Sequence, residues 1–318
     1  MTLRLARTTR DVLLVTGPDA ASYLQGQLSQ DVEPLPVAGL VQTFVLSPQG
    51  KVDGWGRLQR VGDEEFEIDV DPGAGPVWEE RLNRFLLRTK AEVELVPDVP
   101  MLAARAPKGE FGIRARLMDE WLPAQWPGIG GADLLGDEAD DPKSMLEAID
   151  QGAVEVEWGA FEGIRIRSGI PRWGAEIDHD TIPATLGQAI IDSSVSFTKG
   201  CYTGQELVAR IDSRGGNVPR LLHGVEIMGG TPNPGAEVSI GSEFVGALTS
   251  AAPDNQVGSV GLVFVPRGVE VPPNGVRCDV DGAEGRLVPL PNPLVDDADE
   301  AFQGEPPPPA PGWQPFGS

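Results

Sequence analysis

Short apolar runs recur at a spacing of about ten residues between positions 221 and 290, and Gly and Pro separate them. Runs of this length are typical of antiparallel strands joined by tight turns. Strands at such regular intervals are the pattern of a small β-barrel or a β-sandwich, and both remain open from the pattern. The predicted strands are Leu222–Ile227, Glu237–Ile240, Phe244–Ser250, Ser259–Val265, Val276–Val280 and Gly285–Pro289.

The region before this series mixes the two-residue period of strands with the 3.6-residue period of helices. It therefore predicts an α+β body in front of the run of strands. The acidic, turn-rich segment 123–141 is expected to be an exposed loop. The predicted strands lie at 12–15, 41–46, within 52–70, at 91–96 and in two short pieces within 101–115, and the predicted helices at 20–29, 77–88, 144–149 and 205–211.

The charge of the chain excludes one broad class of function. It has 25 basic and 48 acidic residues, a formal net charge of −23 at neutral pH. Such a chain repels a phosphate backbone, so direct nucleic-acid binding through a basic face is not expected. No run of 18 apolar residues occurs, and the N-terminal residues do not read as a secretory signal, so we expect neither a membrane span nor export.

Cysteine and histidine counts restrict the metal chemistry. Cys201 and Cys278 are far apart and form no CxxC pair, so neither a disulfide framework nor a zinc site is predicted. With only His179 and His223 there is no histidine-rich metal centre. Two thiols cannot hold an iron–sulfur cluster within one chain, so a cluster would be shared with a partner. We predict no resident metal and a reducing, cytoplasmic compartment.

One stretch, residues 197–210, combines several features of reactive chemistry. Lys199 and Gly200 form a predicted turn, and a predicted helix begins after Gly204. Cys201 therefore precedes a helix N-terminus and lies beside a lysine, and both favour the thiolate. The alternative from the residues alone is that Cys201 is a small buried apolar side chain.

The residues Lys199–Glu206 read KGCYTGQE, which resembles the motif of the YgfZ-type folate-binding proteins, relatives of the glycine-cleavage T-protein. An eight-residue match around a cysteine is far more specific than a glycine pattern. The resemblance runs along most of the chain up to Leu290. It also includes VTGPD at 15–19, YLQGQ at 23–27, LSPQGKV at 46–52, RIRSGIP at 165–171 and GALTS at 246–250.

The resemblance implies a T-protein-like cloverleaf of two α+β modules and a C-terminal antiparallel β-barrel around a central folate channel. Residues 1–100 correspond to the first module and 101–218 to the second, which carries the cysteine motif. Residues 219–292 correspond to the barrel. The remaining residues, 293–318, are acidic and proline-rich and are expected to be a disordered tail.

The resemblance also implies candidate site residues. Cys201, with Lys199 beside it, is the candidate reactive group. Arg165 is a candidate partner of the folate carboxylates, or of an acidic side chain in a surface ion pair. Phe161 is a candidate for stacking on the ligand, or for core packing. Further folate-binding candidates are Tyr202, Thr203, Gln205, Glu206 and Arg210, of which Glu206 has a helix-dipole alternative and Arg210 a helix-pair alternative.

By the same resemblance the protein binds tetrahydrofolate or a one-carbon derivative. It would support iron–sulfur cluster assembly or repair, and thereby tRNA modification, with assembly proteins or client iron–sulfur enzymes as partners. Two alternatives stay open: a folate-dependent aminomethyl- or methyltransferase, and a non-catalytic folate-binding docking protein. One departure matters, because the family's RxEAGxP segment has Glu where this chain has Arg167.

Overall fold

The computed structural model describes residues 3–107, 121–150, 152–213 and 215–292. An eight-stranded sheet forms the first part of the molecule. Its strands are β1 (Arg4–Thr16), β2 (Leu40–Leu46), β3 (Val52–Arg60), β4 (Glu65–Val70), β5 (Glu92–Pro107), β6 (Leu122–Pro123), β7 (Ile129–Leu135) and β8 (Val154–Glu155). The order across the sheet is β2-β3-β4-β1-β5-β7-β6, and β8 pairs in parallel with β1.

Helices pack on this sheet and connect it to the C-terminal part. The helices are α1 (Ala20–Gln27), α2 (Gly75–Asn83), α3 (Asp137–Asp140), α4 (Pro142–Asp150), α5 (Trp158–Arg167), α6 (Gln188–Ser194) and α7 (Gln205–Asp212). A short 3-10 helix, Pro183–Leu186, precedes α6. Among the described residues no helix has both the length and the hydrophobicity needed to cross a bilayer.

The C-terminal strands close into a barrel, which settles the choice between barrel and sandwich. The strands are β9 (Arg220–Met228), β10 (Glu237–Ile240), β11 (Glu243–Asp254), β12 (Gly258–Pro266), β13 (Val276–Val280) and β14 (Ala283–Val288). The order around the barrel is β10-β11-β12-β9-β14-β13, and each pair is antiparallel. All six predicted strands are present, and the α+β prediction is confirmed.

The separate cores explain why these elements form. Leu13, Leu24 and Trp78 pack α1 and α2 against one face of the sheet. Alternate barrel residues, such as Val225 and Ile227, fill the inside of the barrel. Outward-facing barrel residues meet α5 in a small cluster that includes Ile166, so α5 lies between sheet and barrel.

The prediction that residues 123–141 form an exposed loop is wrong. Residues 129–135 are strand β7, paired along its length with β5. Gly131 of this strand has a packing role, because a Cβ there would lie 2.6 Å from Cδ of Arg105. Glycine at this position therefore makes room for a buried arginine inside the sheet.

Strand β5 also differs from the prediction. Separate strands were expected at 91–96 and within 101–115, whereas Glu92–Pro107 is one strand. It pairs with nearly all of β1, and the register of this pairing shifts once, between Arg10 and Val12 of β1. The strand crosses position 100, where the first module was expected to end. Residues 108–115 and the tail 293–318 lie outside the described residues.

Candidate functional site

The cysteine motif is anchored to the N-terminal helix by Lys199. Its ammonium donates to the backbone oxygens of Gln25 (2.7 Å), Leu28 (2.9 Å) and Gln30 (2.8 Å), at and just after the end of α1. The side chain is buried, and this burial lowers the pKa of Lys199 to about 8. All three ammonium protons are used, so Lys199 holds the loop in place rather than offering a free proton donor.

Two glycines let the motif contact a second segment. Gly50 (φ +76°) and Gly204 (φ +82°) both have left-handed backbones, and the two residues pack against each other. A Cβ on Gly204 would lie 2.6 Å from the Ser47 carbonyl oxygen and 3.1 Å from Cα of Gly50. The backbone N–H of Thr203 also donates to Gly26 O at 3.1 Å. Three segments quoted for the resemblance, at 23–27, 46–52 and 199–206, thus meet at one place.

Within the motif, neighbouring side chains have opposite environments. Cys201 is exposed and forms no disulfide. Tyr202 is buried in the core formed by β2, β3, α6 and α7, and burial raises the pKa of its hydroxyl to about 12. The Lys199 ammonium lies 5.1 Å from the Tyr202 ring centroid. The anchoring residues around Cys201 therefore fix the loop and leave the thiol accessible.

Helix α7 carries the other predicted residues of this region. Gln205 is partly buried, and Glu206 and Arg210 are exposed. No ion pair joins Glu206 to Arg210 within the described part of the chain. The residues from Lys199 to Arg210 are absent from the lining of the central cavity described next, so these folate candidates lie apart from Phe161 and Arg165.

A cavity of about 370 Å³ lies between the sheet and α5. Trp158, Phe161, Glu162 and Arg165 of α5 line it, and their spacing of three and four residues places them on one helical face. The cavity is rich in indole rings, contributed by Trp55, Trp126, Trp158 and Trp173. Its volume is in the range of small-molecule sites, and its walls combine aromatic rings with many charged and polar side chains.

Phe161 lies in the wall of the cavity and is packed among other aromatic rings. It is only 2% exposed, stacks on Trp158 at a centroid distance of 5.5 Å and meets Trp126 edge-on at 5.9 Å. Its ring therefore supports the neighbouring indoles. Trp158, which is 40% exposed, is the most exposed ring of this group.

Arg165 pairs with acidic side chains, but it does so in the interior and not at the surface, where the alternative had placed the ion pair. It donates to Glu162 (3.0 Å), to the carbonyl of Ile170 (2.5 Å) and to Ser250 Oγ (2.8 Å), and it also pairs with Glu176 (3.3 Å). Burial opposes its charge, but these carboxylates raise the pKa of Arg165 overall. Glu162 keeps unused acceptor capacity, although Arg165 and Arg172 both donate to it.

The floor of the cavity is a row of alternating charges on the sheet. Arg57 bridges Asp69 (2.9 Å) and Asp133 (2.6 Å), and Arg105 donates to Asp133 (2.7 Å). The two arginines lower the pKa of Asp133 in spite of its burial. Arg105 lies over the Trp126 ring at 3.9 Å, and its Nε has no hydrogen-bond partner among the described residues. A buried unpaired donor is costly, so this atom is suited to a ligand acceptor.

The departure at Arg167 has a structural reason. Arg167 leaves the cavity side of α5 and pairs with Asp254 through two bonds, at 2.7 and 2.9 Å, and with Glu226 at 3.3 Å. These barrel carboxylates raise the pKa of Arg167, which in turn helps lower theirs. Arg167 therefore fixes α5 to the barrel and is no substitute for a ligand-binding glutamate.

Sequence reasoning missed most of the cavity lining. Asp71, Glu162, Arg172 and the four tryptophans were not singled out, yet all line the cavity. One signal was available, because the chain has seven tryptophans against two tyrosines. Within the described residues no group of three or more His, Cys, Asp or Glu side chains could hold a metal ion.

Comparison with solved structures identifies the fold. The glycine cleavage system aminomethyltransferase T from Bartonella henselae superposes with a TM-score of 0.71 at 16% identity, covering 91% of this chain and 86% of that one. The molecule is a T-protein-like α+β protein with a C-terminal barrel, as the resemblance implied. At this identity the likeness concerns the fold alone.

Sequence comparison narrows the class. No family model matches the chain. The tRNA-modifying protein YgfZ of Edwardsiella ictaluri is 30% identical over 220 residues, 64% of this chain and 65% of that protein. An iron–sulfur cluster assembly factor IBA57 homologue of Pyricularia oryzae is 27% identical, over 68% of this chain and 56% of that protein. The chain is thus similar in sequence to YgfZ-type and IBA57-type proteins, and it spans less than two thirds of the two relatives named here.

Proposed function

We propose that the protein is a tetrahydrofolate-binding accessory factor for iron–sulfur cluster assembly or repair, and that it thereby supports tRNA modification. The names of the YgfZ and IBA57 relatives support the role, and the T-protein fold supports the ligand class. The observation that carries the proposal is the tryptophan-lined cavity in a molecule that also presents one accessible thiol.

The cavity has the chemistry that a folate requires. The planar pyrimidine ring of a reduced pterin can stack against an indole such as Trp158, since aromatic faces stabilise stacked rings. The N–H groups of a pterin edge need an acceptor, and Glu162 offers one from the wall of the cavity. Arg105 Nε offers a donor, and the half-exposed Arg172 is available to a carboxylate. When bound, tetrahydrofolate would supply a one-carbon carrier.

Cys201 is the working thiol of the proposal. It lies outside the cavity, on a loop that Lys199 and Gly204 hold rigidly. Cys278 is buried inside the barrel, so one chain presents a single accessible thiol as a ligand. A cluster is therefore cargo that Cys201 shares with an assembly protein or client enzyme, in a reducing, cytoplasmic compartment. The net charge of −23 would favour basic partner surfaces.

The ligand is tested by calorimetric titration of the reduced protein with tetrahydrofolate. We expect saturable one-to-one binding, and a loss of about tenfold in affinity for Glu162→Gln, because an ionised acceptor becomes a neutral amide. Glu243→Gln, an exposed change on the barrel, is the matched control and should bind like the wild type. Absence of wild-type binding would refute the folate part of the proposal. Restored iron–sulfur enzyme activity in cells lacking their own YgfZ-type protein tests the role itself.

A further inference from the structure

A second pocket lies at one open end of the barrel, away from the tryptophan-lined cavity. It has a volume of about 340 Å³ and is formed by the start of β9, the end of β12 and the loop that follows α7. The cavity described above shares none of its lining residues. Mouths of β-barrels are frequent sites for small molecules. We call it the barrel-mouth pocket.

Strand register shows which side chains face the inside of the barrel at this end. Val225 belongs to the barrel core, so Leu221 and His223 share its face of β9. Leu221 pairs with Val265, also in the core, and the backbone N–H of Arg267 donates to Pro219 O at 2.9 Å. Arg267 lies in the turn that follows β12, is exposed, and lines the pocket next to Val265 and Pro266. An imidazole and a guanidinium therefore flank an apolar floor.

The charge of this pocket is opposite to that of the whole chain. Its ionisable lining residues are Arg220, His223 and Arg267, and none of the described residues that line it is acidic. In a chain with 48 acidic residues, Arg220 and Arg267 have no ion-pair partner among the described residues. Arg220 lies at the rim, with its guanidinium 4.4 Å from the Phe264 ring centroid.

His223 also has an unused ring nitrogen. Its Nδ1 contacts the carbonyl oxygen of Leu221 at 3.0 Å, and Nε2 has no partner among the described residues. Burial lowers the pKa of His223, so the imidazole is neutral at physiological pH while no anion is nearby. An anion in the pocket would favour the charged imidazole and raise that pKa, against the opposing effect of the positively charged Arg220 and Arg267 that also line the pocket.

We propose that the barrel-mouth pocket binds a phosphate group, free or as a monoester of a small molecule. Arg267 and His223 contact the phosphate oxygens, Arg220 adds charge at the rim, and Leu221 and Val265 receive an apolar substituent. A dianion is favoured over a single carboxylate because the three side chains supply up to three positive charges. The site is independent of folate binding, as it shares no residue with that cavity.

The test uses the fact that the chain has only two histidines. Protein with isotope-labelled histidine is titrated at constant ionic strength with inorganic phosphate, and separately with phenyl phosphate. The His223 imidazole resonance should shift saturably with both, and the pKa of His223 should rise. His179 is exposed near Asp53 and serves as the internal control, whose resonance should not move. Tighter binding of phenyl phosphate is the result expected from the apolar floor.

Two arginine variants distinguish binding in this pocket from a general effect of phosphate on a charged surface. Arg267→Gln should weaken phosphate binding by about tenfold, while Arg84→Gln, the same change at an exposed position of the sheet part, should have no effect. The proposal is overturned if neither probe gives a saturable shift, if both histidines move together, or if Arg267→Gln binds like the wild type. The binding result does not depend on whether tetrahydrofolate binds.

Discussion

At the scale of single residues, the two thiols illustrate how burial separates chemistry from packing. Cys201 is exposed, whereas Cys278 lies in the barrel core, where burial raises its pKa to about 11. A thiol with a raised pKa is mostly protonated at neutral pH and is a poor nucleophile or metal ligand. Cys278 therefore acts as a small apolar side chain, and any thiolate chemistry belongs to Cys201.

This difference predicts the outcome of thiol substitutions. Cys201→Ser should abolish the restoration of iron–sulfur enzyme activity in cells lacking their own YgfZ-type protein, because a hydroxyl does not replace a thiolate ligand. Cys278→Ala is the matched control and should retain restoration. Equal amounts of folded protein are checked by thermal unfolding. Full activity of Cys201→Ser would show that the thiol is dispensable.

At the scale of elements, α5 and the cysteine loop are placed by close contacts that sequence patterns do not report. One face of α5 lines the cavity, and Arg167 on another face meets the barrel. The loop before α7 reaches the 47–51 turn because Gly50 and Gly204 allow backbone contact without side chains. Rigid placement of the thiol thus depends on glycine at two positions distant in sequence.

We predict that Gly204→Ala destabilises the protein by about 3 kcal/mol. The new Cβ would add left-handed strain at φ +82° and would meet the Ser47 carbonyl oxygen at 2.6 Å. Gly200→Ala is a matched control in the same motif, because a Cβ there meets no atom within 4 Å, and the change should cost about 0.5 kcal/mol or less. Chemical denaturation measures both. Equal stabilities of the two variants would contradict the contact argument.

At the scale of the whole molecule, one buried ion cluster connects the sheet part to the barrel. Arg167 pairs with Asp254 of β11 and Glu226 of β9, and Glu226 also accepts from Arg286 and from the Asn292 amide. Arg167 is only 4% exposed, so its removal would leave buried carboxylates without their main partner. Breaking one side of such a pair is strongly destabilising.

Arg167→Gln should therefore lower the free energy of unfolding by about 3 kcal/mol at neutral pH. The cluster lowers the pKa of both Asp254 and Glu226, so this stabilisation is complete above their ordinary pKa values. It disappears as the pH falls through the depressed folded-state values, because the carboxylates become protonated. Denaturation of both proteins across acidic pH tests this sign. A constant difference down to the lowest pH would contradict it.

An exposed control separates this effect from charge removal in general. Arg84 pairs with Glu80 on the surface of the sheet part, where both side chains are mostly exposed. Arg84→Gln should change stability by about 0.5 kcal/mol or less, since surface ion pairs contribute little. It should also show no comparable dependence on acid.

Much of the secondary structure and the class of fold could be predicted from local patterns. The six barrel strands follow from apolar runs between Gly and Pro, and α7 from the helical spacing after Gly204. The KGCYTGQE motif led directly to the YgfZ-type proteins. These signals are local because the side-chain periods of helices and strands can be recognised within a few consecutive residues.

The lining of the cavity could not be obtained in that way. Asp133 became a buried partner of Arg57 and Arg105 only because β7 is paired inside the sheet, where a loop was expected. Phe161 became a support for Trp158, and Arg167 an anchor to the barrel, through contacts across the chain. Such roles depend on which distant segments pair and on the charges and volumes of the side chains that meet there. The periodicity of a local sequence predicts neither the pairing nor these contacts.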